Sequence, residues 1–101
     1  MLITVIIPCY NEESTLEIII NKILQQKEFD KKIILVDDNS KDRSVEIIQN
    51  NLKNRVDKII FHKQNLGKGA CIKSAQPFVE GEYVIIQDAD LEYNPEDINF
   101  Y

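Results

Sequence analysis

Short, continuously apolar runs alternate with amphipathic segments along the chain, and this alternation restricts the fold more than any other feature. The apolar runs form the centres of the segments 2–7, 32–36, 58–62 and 82–87, some of which begin or end in a polar residue. They are rich in β-branched residues, and an unbroken apolar run of this length is typical of a strand buried on both faces. The resulting order, β-α-β-α-β-α-β, predicts an α/β fold with a mostly parallel sheet, right-handed crossovers and helices on both faces.

Three segments between the strands have a helical pattern. In the first, apolar residues recur on one helical face: Leu16, Ile19, Ile20, Ile23 and Leu24. Ser14, followed three residues later by Glu17, predicts a capping box at the start of this helix. The second helix is predicted over 44–52 and a shorter third helix over 67–75.

Composition and charge exclude several classes of protein. The chain has 101 residues, 44% hydrophobic and 29% charged, which suits one ordered domain. A net charge of −5 leaves no basic surplus for phosphates, so nucleic-acid binding is not expected. Cys9 and Cys71 have no CxxC spacing and are interpreted as reduced thiols. With no apolar run long enough for a bilayer and no basic signal segment, we expect a cytoplasmic protein without a transmembrane segment.

Each predicted strand ends in a polar cluster. The clusters are Pro8-Cys9-Tyr10-Asn11-Glu12, Asp37-Asp38-Asn39-Ser40, His62 with Asn65, and Asp88-Ala89-Asp90. Parallel strands place their carboxyl ends along one edge of the sheet, and ligands of open α/β sheets bind outside that edge. One acidic pair after a strand is usually a solvated turn, but recurrence at every strand end favours a single convergent site.

Asp88 and Asp90 lie two positions apart directly after a predicted buried strand. Their carboxylates repel each other unless a cation lies between them. Oxygen ligands suit Mg²⁺ or Mn²⁺, and such an ion keeps coordination positions for water and diphosphate oxygens. The pair therefore predicts a metal site through which an acidic protein can hold a phosphorylated ligand.

Four segments together resemble a known family. They are "VIIPCYNEESTL", "ILVDDNSKDRS", "NLGKGACIKSA" and "YVIIQDADLEYNPED". In this order they resemble the nucleotide-binding half of family 2 inverting glycosyltransferases of the GT-A fold, and most closely the polyprenyl-phosphate and dolichyl-phosphate sugar transferases. The resemblance implies that residues 1–101 form the Rossmann-like, nucleotide-sugar-binding part of such a domain.

The resemblance also implies roles for individual residues. The implied nucleotide-binding residues are Pro8, Tyr10, Glu12, Val36, Asp38, Asp88 and Ala89. Within this set Asp38 is expected to read the nucleoside with Val36 against the base, while the adjacent Asp37 supports the loop. The implied metal ligands for Mg²⁺ or Mn²⁺ are Asp88 and Asp90.

The implied reaction transfers a sugar, with inversion, from a UDP- or GDP-linked donor to an acceptor such as a polyprenyl phosphate. A metal ion would stabilise the charge that develops on the leaving diphosphate. Family members extend well past Tyr101, so we expect this chain to be truncated, with any catalytic base in the missing part. The alternative is a catalytically incomplete nucleotide-sugar-binding fragment or partner module. For a full-length member, the resemblance also allows association with the inner face of a membrane.

Two other α/β folds also place acidic residues at strand ends. A dinucleotide-binding domain would carry GxGxxG after the first strand, where this chain has Pro-Cys-Tyr-Asn-Glu. In a phospho-receiver domain the acidic pair follows the first strand, whereas here it follows the second. Both alternatives are therefore disfavoured.

The loop after the third strand has two interpretations. Lys68 and the amides near Gly67 could bind a phosphate at a helix N-terminus. The simpler interpretation is that Gly67 and Gly69 permit tight packing and that Lys68 is solvated. His62 is interpreted as a strand-end side chain and not as a base.

Overall fold

A parallel sheet of four strands forms the centre of the fold, with the strand order β3-β2-β1-β4. The computed structural model of the chain describes residues 1–89. Its elements are β1 Leu2–Cys9, α1 Leu16–Gln25, β2 Asp30–Asp37, α2 Ser44–Ile47 running into a π-helix Ile48–Leu52, β3 Lys58–Phe61, α3 Lys68–Ala75 with a 3₁₀ turn Gln76–Phe78, and β4 Tyr83–Ile86. The predicted α/β architecture with a parallel sheet is confirmed.

The register of the sheet places the carboxyl ends of the strands side by side. Cys9 pairs with Asp37, and Asp37 pairs in turn with Phe61. On the other side of β1, Ile6 pairs with Ile86. Because all these pairings are parallel, the loops that follow the strands leave the sheet at one edge.

Helices cover both faces of the sheet. On one face, α1 and the π-helix bury Leu16, Ile19, Ile20, Ile23, Ile48 and Leu52 against Ile3, Val5, Ile7, Ile33 and Leu35. On the other face, α3 buries Cys71 and Ala75 against Ile6, Ile34 and Val36. Side chains alternate between the two faces along each strand, so a continuous apolar run supplies both cores.

The predicted capping box at the start of α1 is wrong. The helix begins at Leu16 after Thr15, and no side chain caps it. The Thr15 hydroxyl instead donates to the Ala89 carbonyl oxygen at 2.6 Å, which connects the start of α1 to the loop after β4. Backbone bonds from Thr15 and Leu16 to the Glu12 carbonyl oxygen close the first turn. A contact between distant parts of the chain therefore replaces the local cap.

β4 differs from the prediction of a strand covered on both sides. It is an edge strand, and the exposed fractions of Tyr83, Val84 and Ile86 are 40%, 47% and 43% in the described structure. Only Ile85 of this strand packs against a core cluster. Within residues 1–89, no helix combines the length and apolar character needed to cross a membrane.

Candidate functional site

A cleft of about 280 Å³ lies at the carboxyl edge of the sheet. Its lining comes from the ends of β1, β2 and β4 and from the start of α3: Pro8, Cys9, Tyr10, Glu12, Asp38, Lys68, Cys71, Asp88 and Ala89. Residues that are far apart in sequence thus meet around one concave surface. The parallel register brings them together, as the recurrence of polar clusters at strand ends predicts.

Six of the described candidate residues line this cleft, and Val36 does not. Val36 is fully buried in the core beneath α3, where it packs with Ile34 and Cys71. In this structure Val36 therefore contributes no surface to the cleft. Asp90, the second predicted metal ligand, lies outside the described residues.

The loop after β1 is attached to the loop after β2 by hydrogen bonds. The Asn11 side-chain oxygen accepts a hydrogen bond from the Lys41 backbone amide at 2.7 Å. The Asn11 backbone amide donates a hydrogen bond to Ser40 Oγ at 2.9 Å. Asn11 has a φ of 53°, a left-handed conformation that asparagine tolerates better than most residues. This attachment fixes Tyr10 and Glu12 at the mouth of the cleft.

Asp37 and Asp38 point into different environments, although both are buried. Asp37 accepts hydrogen bonds from the Ser40 hydroxyl at 2.6 Å and the Ser40 amide at 3.0 Å. It therefore supports the turn after β2, as expected. Asp38 is the member of the pair that reaches the cleft.

The Asp38 carboxylate is held by three nitrogen donors, and the Cys71 thiol also bonds to it. It accepts from His62 Nδ1 at 2.8 Å, from the Leu66 amide at 2.9 Å and from the Gly67 amide at 2.8 Å. Burial alone would raise the pKa of Asp38, but these hydrogen bonds outweigh it and the pKa lies below its ordinary value. Asp38 is consequently ionised at neutral pH and can only accept hydrogen bonds.

The glycines near α3 do not have the packing role that was expected. A Cβ added at Gly67 or Gly69 would meet no atom within 4 Å. Gly67 is instead needed for its backbone, because its φ of 96° lies in the region that L residues rarely adopt. That conformation directs the Gly67 amide at Asp38.

Lys68 is exposed, as the simpler interpretation expects, but its ammonium group is paired. Its Nζ lies 2.8 Å from Asp88 Oδ1 and 3.0 Å from Oδ2, inside the cleft. Both side chains are partly exposed, so the pair contributes little to stability. Its importance is chemical, since the cleft of an acidic protein contains a cation beside the carboxylate predicted to bind a metal.

The described residues partly fit a divalent cation at the cleft. Asp88 offers the hard carboxylate oxygens that Mg²⁺ and Mn²⁺ prefer, but Lys68 Nζ contacts both of them and would have to move away for a metal ion to bind. A second group in residues 1–89, formed by Asp38, His62 and Cys71, has potential ligand atoms within 4.8 Å of one another. Its carboxylate and imidazole already bond to each other.

Both cysteines belong to the lining of the cleft but are almost fully buried, and their thiols are expected to be unreactive in the folded protein. Burial, with the nearby Asp37 charge, raises the pKa of Cys9 to about 12. Burial, with the Asp38 charge, raises the pKa of Cys71 to about 11. Ellman's reagent at pH 7.5 should therefore modify either thiol at least about 100-fold more slowly than after unfolding in guanidinium chloride. Rapid modification of one thiol in the folded chain would contradict this burial.

Comparison with known proteins identifies the family. The sequence profile described as Glycosyl transferase family 2 matches residues 4–99. The chain belongs to this family. It is 34% identical over 102 residues to the undecaprenyl-phosphate 4-deoxy-4-formamido-L-arabinose transferase of Photorhabdus laumondii, with 95% of this chain and 31% of that protein covered. It is 32% identical over 97 residues to a dolichyl-phosphate beta-glucosyltransferase of Trichomonas vaginalis, with 87% and 30% covered.

Solved structures of glycosyltransferases share the fold. The Staphylococcus aureus TarS fragment 1–349 in complex with UDP has a TM-score of 0.75 and 28% identity, with 89% of this chain and 28% of that chain covered. The mannosyltransferase PcManGT of Pyrobaculum calidifontis, in complex with GDP-Man and Mn²⁺, has a TM-score of 0.77 and 26% identity, with 87% and 27% covered. This family 2 chain therefore spans less than a third of the length of these relatives.

Proposed function

We propose that residues 1–101 are the donor-binding part of a glycosyltransferase that transfers a sugar, with inversion, from a UDP- or GDP-linked donor. The observation that carries this proposal is the cleft in which an ionised Asp38, the Lys68–Asp88 pair and the loop after β1 converge. The UDP complex of TarS and the GDP-Man and Mn²⁺ complex of PcManGT support it.

The nucleoside would bind at the side of the cleft formed by β1 and β2. Tyr10 is 43% exposed there and offers an aromatic face to a base. Pro8 and Glu12 complete this side of the lining. Asp38 at the floor accepts hydrogen bonds, so a base that presents a ring N–H would be favoured.

The diphosphate would bind at the other side, next to α3 and the end of β4. Lys68 supplies a positive charge there, and Asp88 with Asp90 would hold Mg²⁺ or Mn²⁺. When bound, the metal would neutralise charge on the leaving diphosphate. Lys68 would then be free to move from Asp88 to a phosphate oxygen.

We further propose a polyprenyl phosphate as the acceptor, on the basis of the names of the relatives. The acceptor phosphate oxygen would attack the anomeric carbon and displace the nucleoside diphosphate. Such an oxygen is already anionic, so little help from a general base is needed, and we assign no catalytic base within this chain. The reaction would take place in the cytoplasm, at the inner face of a membrane for a lipid acceptor.

A second candidate function is nucleotide-sugar binding without turnover. It is favoured by one observation, that the cleft gathers donor-binding residues while we assign no catalytic base among residues 1–89. Assay of the 101-residue chain with UDP- or GDP-sugar and undecaprenyl phosphate separates the two functions. Steady sugar transfer supports the enzyme, and binding with no transfer supports the incomplete fragment.

Metal-dependent nucleotide binding is the direct test of the site. Calorimetric titration of the chain with UDP and GDP should detect binding in the presence of Mn²⁺ and much weaker binding in EDTA. Asp88→Asn should weaken the metal-dependent binding at least about 10-fold, because one charge-assisted contact is lost.

Glu80→Gln is a matched control for the loss of a carboxylate. Glu80 forms a 3.1 Å ion pair with Lys32 and precedes β4, at the opposite edge of the sheet from the cleft. This variant should bind UDP or GDP as the unsubstituted chain does. Equal affinities in Mn²⁺ and in EDTA would remove the metal from the proposal.

A further inference from the structure

His62 occupies a buried position behind the cleft, between β2 and α3. Its Nδ1 lies 2.8 Å from Asp38 Oδ1, and its Nε2 lies 2.8 Å from Ser74 Oγ. The exposed fractions of the His62 and Asp38 side chains are only 7% and 5%. The cleft lining includes Asp38 but not His62. A ligand in the cleft would therefore meet the carboxylate, and His62 would act on the ligand only through it.

The hydrogen bonds determine which ring nitrogen carries the proton. An ionised carboxylate has no proton to donate, so Nδ1 must donate to Asp38. In a neutral imidazole the other nitrogen, Nε2, is an acceptor, and the Ser74 hydroxyl donates to it. Ser74 therefore holds the ring in the tautomer and orientation that Asp38 requires, as a second partner does for many functional histidines.

Nitrogen donors occupy most of the acceptor positions on the Asp38 carboxylate, and the Cys71 thiol beside it also bonds to this carboxylate. A carboxylate has about four lone-pair positions. Oδ1 uses two of them, for His62 and the Leu66 amide, and Oδ2 uses one, for the Gly67 amide. Because Asp38 lines the cleft, these bonds set the orientation in which its carboxylate meets a ligand.

We propose that His62, held by Ser74, is a positioning residue that orients the Asp38 carboxylate toward a ring N–H of the nucleoside. This inference rests on the proposed function. The two backbone amides come from adjacent residues of one loop and hold the carboxylate from that side only. His62 holds it from the third strand, and a binding group must be supported in this way to keep productive geometry.

Affinity for UDP and GDP in Mn²⁺ tests the proposal. His62→Ala should weaken binding of the preferred nucleotide about 10-fold or more, the effect of one well-placed hydrogen bond. His62→Asn keeps an N–H donor near the position of Nδ1 and should retain affinity within about 3-fold. Ser74→Ala removes only the hydrogen bond to His62 Nε2, and its affinity for the nucleotide should lie between those of the two His62 variants.

Thr4→Val is the control for a loss of stability alone. The Thr4 hydroxyl bonds to the backbone of Glu80 at 2.6 and 2.9 Å, away from the cleft lining. This variant should melt at a lower temperature while its affinity for the nucleotide stays unchanged. Melting temperatures of all variants separate loss of fold from loss of positioning, and His62→Asn remains informative where His62→Ala does not fold.

The ring nitrogens give a readout independent of affinity. His62 is the only histidine of the 101-residue chain, so its ¹⁵N and ring-proton signals are assigned without ambiguity. The signals should be those of a ring that carries a proton on Nδ1, and they should shift when UDP or GDP binds.

The outcomes separate the inference from the function on which it rests. Nucleotide binding by the unsubstituted chain, together with unchanged affinity in folded His62→Ala, would overturn the inference and leave the proposed function standing. An Nε2-protonated tautomer would also overturn it. Absence of any UDP or GDP binding by the unsubstituted chain would overturn the proposed function itself.

Discussion

Replacement of Asp38 by alanine is expected to lower the free energy of unfolding by at least about 3 kcal/mol, because each buried donor left unsatisfied costs about 1–3 kcal/mol. The substitution removes the acceptor of His62 Nδ1 and of the Leu66 and Gly67 amides. The same change should abolish measurable nucleotide binding if Asp38 reads the nucleoside. Urea unfolding at pH 7 with calorimetric titration measures both effects.

The cost of Asp38→Ala should depend on pH. The pKa of Asp38 is lowered in the folded state, so its contribution is fully present above the unfolded pKa of about 3.9. The contribution is lost as the pH falls through the lower, folded pKa. The difference in stability between the unsubstituted chain and Asp38→Ala should therefore shrink in strongly acidic solution. The stability of the Asp38→Ala variant should still fall in acid to some extent, because Asp42 remains and its pKa is also lowered in the folded state.

Asp57→Ala is the control for the loss of a carboxylate that accepts a backbone hydrogen bond. The exposed Asp57 accepts from the Ile33 amide at 2.7 Å, away from the cleft lining. Its removal should cost about 1 kcal/mol, since one ordinary hydrogen bond is lost and water replaces it. Equal costs for Asp38→Ala and Asp57→Ala would contradict the central role of Asp38.

Gly81→Ala is expected to destabilise the chain by more than about 3 kcal/mol, or to prevent folding. A Cβ at this position would lie 2.3 Å from the Leu2 carbonyl oxygen and 2.8 Å from its carbon. The φ of 88° adds a conformational cost of about 1–2 kcal/mol for any L residue. The same Leu2 oxygen accepts from the Glu82 amide at 3.0 Å, so a shift would disturb the first hydrogen bond between β1 and β4. Thermal unfolding followed by circular dichroism measures the change.

The other two glycines provide matched controls for Gly81→Ala. Gly67→Ala meets no atom within 4 Å and should show only the cost of its positive φ, about 1–2 kcal/mol. Gly69→Ala has neither a positive φ nor a contact, and in α3 it should be neutral or stabilising by about 0.5–1 kcal/mol. A similar effect at all three glycines would show that close approach to Leu2 is not the cause.

The fold could be predicted from the sequence because its signals are local. Unbroken apolar runs such as 2–7 and 32–36 indicate strands buried on both faces, and the helical periodicity between them indicates the crossovers. Parallel connection then places all strand ends at one edge without further information. The polar clusters at those ends therefore predicted the position of the cleft.

Several features of the site could not be predicted because they depend on contacts between distant residues. Thr15 bonds to a residue 74 positions later, and this contact replaced the expected capping box. His62 and Asp38 are 24 positions apart, and Lys68 and Asp88 are 20 apart. In the sequence, a histidine after a strand and a lysine at the start of a helix look like ordinary surface residues. Only the fold shows that each of them pairs with a carboxylate.

Local hydrophobic pattern and turn chemistry, which act within a few residues, determined the strands, the crossovers and the edge that carries the polar loops. Only the tertiary structure decided how those polar residues pair. It directed Asp37 to its own turn and Asp38 to the cleft, and it buried Val36 beneath α3. The reason is physical: each carboxylate in a nearly dry interior must find donors, and which donors are within reach depends on the packing of the whole chain.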